Sequence, residues 1–438
     1  MTTNLNKISQ NISEKLVNKS SLFMTFYVGL AAFSTYTCMY AFRKPFTVAL
    51  FEGIMLWGLN YKVVLVILQL LGYTAAKGYG IKFISEVKPE QRPKLIIGMV
   101  LYSHLSLLMF SIIPAPDNWP FMFLNGIGLG MIYGLIFSYL EGRKITELLS
   151  AFLVISFIVS SGFMKTIGSL LINSGVDESK MPFVVGLIFM PIFLISVFAL
   201  VVVPKPSEAD IQSRSLRPPM DQKDRGKFLS KYGFGLYSLI AAYIFMTIFR
   251  DIRDNFSAEI WKEIGQKNSL IFSKTEIIIG LIIAINIGIG YKIKDNKLAF
   301  FINHLFIILG CLLIFLSTRS FLLNYTSPFW WMVLSGLGIY MAYIPFNGVL
   351  FDRLLAVLKE KANVGFLFYM ADFAGYLGAI FVMLTQVFSS KTTNWLELIS
   401  NLAIWLPIVS ILFVTISLFY FNSKSSFHTN SNKDIAIS

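Results

Sequence analysis

The stretch Tyr36-Thr-Tyr-Cys-Met-Tyr40-Ala-Phe-Arg43-Lys44 sits late in the first hydrophobic run and governs the reading of the whole chain. Its pattern returns far downstream as Tyr243-Ile-Phe-Met-Thr247-Ile-Phe-Arg250-Asp251. Tyr36 and Tyr243, Phe42 and Phe249, and Arg43 and Arg250 are separated by one constant offset. At about 3.6 residues per turn, Tyr36, Tyr40 and Arg43 share a helical face, and so do Tyr243, Thr247 and Arg250. Two apolar helices, one in each half, are thus expected to carry a ladder of hydroxyls that ends in a guanidinium. An isolated arginine at bilayer depth costs ~2.5–3.5 kcal/mol on insertion scales, so a matched pair points to a substrate path with a counter-charge. A lone arginine there would be read as a residue snorkelling to the interface.

Composition sets the class. Of 438 residues, 55% are hydrophobic and 14% charged, with a mean hydropathy of +0.67. Repeated apolar runs of roughly 20 residues match a hydrocarbon core of ~30 Å crossed at ~1.5 Å per residue. The alternating segments of ~10 residues that a spanning barrel needs are absent. The net charge of +13 does not indicate nucleic acid, because the basic residues gather in alternate loops and form no aromatic-interleaved patch. Cys38 and Cys311 lie in separate apolar runs and His104, His304 and His428 are scattered, so neither a disulfide nor a metal site is expected, and no cofactor.

In chain order, residues 1–20 form a polar segment and Ser21–Phe42 the first span, too long for a signal-peptide core. Beyond Arg43-Lys44 the chain stays apolar to Phe51, so the helix is expected to continue past Arg43 and bend at Pro45. Further spans are expected near 61–84, 94–113, 119–140, 148–172 and 181–203. A Pro-rich basic linker occupies 204–231, and a second set follows near 232–252, 270–291, 298–316, 328–350, 363–388 and 400–421. The reading is an all-α polytopic membrane protein with two six-helix bundles, 21–203 and 232–421, and a polar tail, 422–438. The loops containing Lys82, Lys88, Arg143, Lys144, Lys292, Lys359 and Lys361, with the linker and both termini, hold more than twice the Lys and Arg of the other side. That asymmetry puts both termini on the cytoplasmic side, and the membrane expected is the cell (inner) membrane.

The repeat continues beyond the opening stretch. Gly128-Leu-Gly130 matches Gly336-Leu-Gly338, Glu141/Arg143 match Asp352/Arg353, and Lys165 corresponds to Asp372, all at nearly the same offset. Parallel halves related by an axis along the membrane normal follow from this. With these residues in view, the sequence resembles the major facilitator superfamily, and more narrowly its organophosphate:phosphate antiporter branch. The likeness rests on Tyr40-Ala-Phe-Arg43-Lys44, Tyr73-Thr-Ala-Ala-Lys77, Arg250, and Gly365-Phe366 with Gly375-Tyr376-Leu377-Gly378. It implies that Arg43 and Arg250 grip a phosphate group. Glycerol-phosphate members carry a histidine on span 5, where this chain has Ser160-Ser161-Gly162 and, one turn on, Lys165.

The expected substrate-binding residues are Arg43, Arg250, Tyr36, Tyr40, Tyr243, Lys77 and Lys165. Lys77 shares a polar face with Gln69 and Tyr73, and Asp372 one with Tyr369 and Tyr376; the superfamily fold makes their spans neighbours, so Lys77 and Asp372 form a candidate pair. Lys44 with Asp251 or Asp254 would make a gate at one end. Glu141, Arg143, Asp352 and Arg353 would lock the other, and Tyr340, Tyr343 and Asn347 would line the cavity or simply pack. The function expected is secondary transport, by a monomer, of a small phosphorylated or anionic metabolite in exchange for inorganic phosphate. The alternatives are a proton-coupled sugar or carboxylate symporter using Asp372 or Asp254, and a transporter-like sensor. A membrane enzyme would want catalytic carboxylates or histidines on large aqueous loops, whereas the loops here are short apart from the basic linker, and no Gly-x-x-x-x-Gly-Lys-[Ser/Thr] motif for ATP is present.

Overall fold

Long Leu/Ile/Phe/Val runs bounded by Ser, Asn, Asp and Pro fold as the helices they spell. In the computed structural model Ser20, Asn60 and Asp295 cap helices by accepting the amides of Phe23, Val63 and Leu298, while Pro93, Pro120, Pro182 and Pro328 sit in first turns. The structure describes residues 2–435 apart from 18, 142, 144, 207, 209, 211–221, 291, 292, 348, 359, 361, 363 and 390–393. Of the inner basic residues, Lys144, Lys292, Lys359, Lys361 and the middle of the linker lie outside this set. Among the described residues, twelve helices are long and apolar enough to cross a membrane.

The helices are α1 (Thr2–Val17), α2 (Ser21–Tyr40), α3 (Tyr61–Glu86), α4 (Arg92–Ile112), α5 (Pro120–Leu129), α6 (Ile132–Leu140), α7 (Thr146–Asn173) and α8 (Met181–Val201). Then come α9 (Gln222–Asn255), α10 (Ser257–Glu263), α11 (Ile271–Gly290), α12 (Asn296–Leu322), α13 (Pro328–Tyr343), α14 (Val349–Leu358), α15 (Val364–Ser389) and α16 (Trp395–Ile435). A tight hairpin pairs Met55-Leu56 with Leu59-Asn60, ahead of α3. Span 4 is α5 plus α6, interrupted at Gly130-Met131; span 7 runs well beyond its expected start, from residue 222.

Contacts group the chain into two compact units. The first holds residues 1–214, 255–284 and 386–392, so the stretch after span 7 packs with the first six spans. Here α2 lies against α7 and α8, α4 against α5 and α8, and α3 against α5. The α3–α5 contact is backbone to backbone: a Cβ on Gly126 would meet the Tyr73 amide nitrogen at 2.9 Å and come closer still to the Gln69 carbonyl. The second unit holds 215–254, 285–385 and 393–438, with α12 packed against α13, α14 and α16. Within it a Cβ on Gly310 would stand 2.5 Å from the Gly338 carbonyl oxygen, and the reverse holds for Gly338.

Candidate functional site

Arg43 lies not in the helix but just beyond it, a correction to the expected continuation. α2 ends at Tyr40, and the amides of Ala41, Phe42 and Arg43 turn back to carbonyls three residues earlier. Pro45 is the cause: it has no N–H to continue the ladder and its ring crowds the carbonyl four residues before it. The chain tightens, then resumes as a 3-10 turn, Pro45–Val48. That leaves carbonyls without helical partners, and two buried amides satisfy them. Asn125 on α5 donates to the Phe42 carbonyl at 3.0 Å and Gln69 on α3 to the Arg43 carbonyl at 3.2 Å, while Gln69 also donates to Asn125 Oδ1 at 2.8 Å.

The guanidinium so placed is 9% exposed and stacks over Tyr73, its carbon 3.9 Å from the ring centroid. Lys77 approaches the same ring at 5.0 Å. Tyr36 packs edge-on to both Tyr40 and Tyr133, at 5.3 and 5.4 Å. The first unit thus gathers Arg43, Lys77, Tyr36 and Tyr40 as expected residues, with Tyr73 at the centre. Lys165 is buried on α7 and donates to Ser257 Oγ at 3.1 Å; Lys44 is buried and donates to Asn255 Oδ1 at 2.8 Å.

The second unit repeats the theme with a difference. Arg250 lies over Tyr343 at 4.2 Å and near Tyr376 at 5.7 Å, and Tyr243 stacks on Tyr343 at 5.1 Å. The Tyr243 hydroxyl donates to Asp372 Oδ1 at 3.0 Å, and that carboxylate is almost wholly buried. Arg250 carries its own counter-ion: Nε and Nη2 both reach Asp251 Oδ1, at 3.0 and 2.8 Å. Thr247 donates back to the Tyr243 carbonyl and packs against Gly375, so it serves the α9–α15 contact rather than the ladder. At the opposite end of the spans, Arg143 donates to the carbonyls of Tyr139 and Pro204 beside an exposed Glu141, and Arg353, next to Asp352, donates to Asn296 Oδ1 at 2.7 Å.

One buried pair escaped the sequence reading. Lys62, in the first turn of α3, meets Glu259 of α10 at 2.5 Å and donates to the Thr47 carbonyl at 2.7 Å. Burial raises the Glu259 carboxyl above its ordinary value, with the Lys62 ammonium pulling it back. A lysine next to a helix start looks like an interfacial anchor, and only the fold brings the partner. Among the described residues no group of three His, Cys, Asp or Glu could hold a metal.

Comparison with known proteins gives fold and family. No curated protein sequence matches the chain. The crystal structure of a D-xylose-proton symporter matches with a TM-score of 0.61, covering 91% of this chain and 97% of that one at 16% identity. The chain is an integral multi-pass membrane protein with the twelve-helix major facilitator fold. The model of a family of unknown function, DUF5690, matches residues 45–424, and the chain belongs to that family.

Proposed function

We propose that the protein is an alternating-access secondary transporter of a small anionic metabolite, a phosphate ester above all, exchanged for inorganic phosphate. The observation that carries this reading is Arg43, a buried guanidinium stacked on Tyr73 with Lys77 against the same ring. Stacking holds the planar fork flat, the orientation in which a guanidinium can pair two N–H groups with an oxyanion. Arg250 would add its charge once an anion competes with Asp251, and Lys165, Tyr36, Tyr40 and Tyr243 complete the set. Lys44, Asp251, Asp254 and Asp372 would act in gating or coupling, and Glu141, Arg143, Asp352 and Arg353 in closing the opposite end. The test is counterflow of labelled phosphate into phosphate-loaded liposomes. Arg43→Lys keeps the charge but loses the fork, and should fold normally while losing most uptake. Uptake at the wild-type half-saturation in Arg43→Lys, for phosphate and for every phosphate ester tried, would sink the proposal.

A second reading, proton-coupled symport, is favoured by the buried Asp372 carboxylate under the Tyr243 hydroxyl; the structural neighbour is itself a D-xylose-proton symporter. Asp372→Asn separates the two. Under symport it abolishes uptake driven by a proton gradient and spares exchange; under phosphate exchange an imposed gradient changes nothing.

A further inference from the structure

Three buried ammonium groups meet alternate residues of one short segment: Lys44 meets Asn255, Lys165 meets Ser257 and Lys62 meets Glu259. Asn255 ends α9, whereas Ser257 and Glu259 belong to α10, which has a break at each side. Phe256, at φ −111° and ψ 22°, separates α9 from α10, and Gly265, at φ +84°, follows α10 in the left-handed region that glycine tolerates. α10 rests on the Pro45–Val48 turn that directly follows Arg43 and Lys44. It is therefore a seven-residue helix, interrupted at either end and packed against the turn that follows Arg43.

Lys62 is the most buried of the three lysines. Lys62 is 1% exposed, and the Phe256 ring lies 5.7 Å from its ammonium. Glu259 engages it through Oε1 alone, and Oε2 makes no hydrogen bond among the described residues. The other nearby carboxylate, Glu178, is committed elsewhere: its two oxygens accept the amides of Leu50 and Phe51 at 3.0 and 2.8 Å. Lys165 adds a like charge within the field of Lys62. Burial raises the Glu259 carboxyl above its ordinary value even beside Lys62.

We propose that Lys62 is a docking site for a compact oxyanion on the access path, and that Glu259 occupies it here as an internal stand-in for the cargo. An ammonium on a flexible stem suits this role, since its three donors take an oxygen from several directions. When α10 hinges outward, the incoming oxyanion replaces Oε1 at Lys62 before it reaches Arg43. The inference rests on the anion-transport reading and adds a second station to it.

The test is titration of the purified full-length protein with inorganic phosphate, read as the half-saturation of thermal stabilisation. Without the internal competitor, Glu259→Gln should saturate at several-fold lower phosphate. Glu259→Asp, which keeps the charge on a shorter arm, should shift the same way by less and stands in should the Gln variant fail to fold. Lys62→Gln should raise the half-saturation several-fold, and Lys62→Gln/Glu259→Gln should match Lys62→Gln alone. The Glu52–Lys262 pair on the solvent side of the same helix is exposed and holds it only weakly, so Glu52→Gln should shift the half-saturation far less than Glu259→Gln. If wild type responds to phosphate and Arg43→Lys does not, but the Glu259 variants bind no tighter, this inference falls and the transport reading stands. Tightening that survives in the double variant overturns it equally, since it would not run through Lys62. A wild type indifferent to phosphate and phosphate esters overturns both.

Discussion

Replacing Asn125 with leucine tests whether the arginine turn is held from outside its own helix. Asn125 is fully buried on α5 and joins three elements through its side chain. Its amide donates to the carbonyls of Phe42 at 3.0 Å and Ser103 at 3.2 Å, and its oxygen accepts from Gln69 at 2.8 Å. Leucine keeps the heavy-atom branching but its methyl groups are bulkier than a planar amide, so the polar loss worked out next is a floor on the cost. The Phe42 carbonyl, beyond the helical ladder, is left buried without this donor, at ~1–3 kcal/mol. Gln69 keeps its bond to Arg43 but loses one of two, about 1 kcal/mol more. The Ser103 carbonyl sits inside α4 and contributes less. A total of about 3 kcal/mol is expected, roughly a 6 °C fall in melting temperature at about 2 °C per kcal/mol for a chain longer than 150–250 residues. The functional consequence is separate: with the turn loosened, Arg43 no longer sits flat on Tyr73, and phosphate half-saturation should rise about tenfold, near 1.4 kcal/mol. Melting and phosphate titration on the same detergent sample measure both. An Asn125→Leu protein that melts within a degree of wild type and binds phosphate equally well would refute the claim that α5 positions Arg43.

Tyr73→Leu removes the ring beneath Arg43; a desolvated cation–π contact is worth ~2 kcal/mol, so phosphate half-saturation should rise more than tenfold while the melting temperature moves less. Gly126→Ala drives a methyl into the α3 backbone and should cost ~1–3 kcal/mol, seen as a lower melting temperature, whereas Gly98→Ala, with open space around it, should not. Cysteines at Tyr325 and Glu90, both exposed, report the orientation: impermeant thiol reagents applied to intact cells should label Tyr325→Cys and spare Glu90→Cys. The reverse pattern would invert the orientation read from the basic loops.

Hydropathy made the twelve spans legible because each needs only its own residues to declare itself. The repeat also marked Tyr243 and Arg250, which do share a cluster, and Tyr36 and Tyr40, which touch. What the chain did not disclose depends on backbone detail or on distant partners. A periodic face carried Arg43 along α2, but Pro45 ends that helix a turn early, and Tyr73, grouped from sequence with Gln69 and Lys77, becomes the platform for Arg43. Asp251 is adjacent to Arg250 in sequence, yet whether neighbouring charges on a helix fold onto each other is a rotamer choice that no spacing rule encodes. Lys62 and Glu259 stand in opposite halves of the sequence, each unremarkable in its own window.

The mutual approach of Gly310 and Gly338 bears on how the protein is made. α12 and α13 follow one another directly, joined by the short turn 323–327, so these two glycines can meet as soon as both helices have left the ribosome. Their contact is backbone against backbone and needs no cavity, ligand or third helix to form. The α3–α5 contact through Gly126 is different, since α4 intervenes in the chain and must be inserted first. Synthesis stalled after α13 should therefore yield a protected hairpin from the second half, whereas synthesis stalled after α4 leaves α3 without its partner and open to membrane quality control.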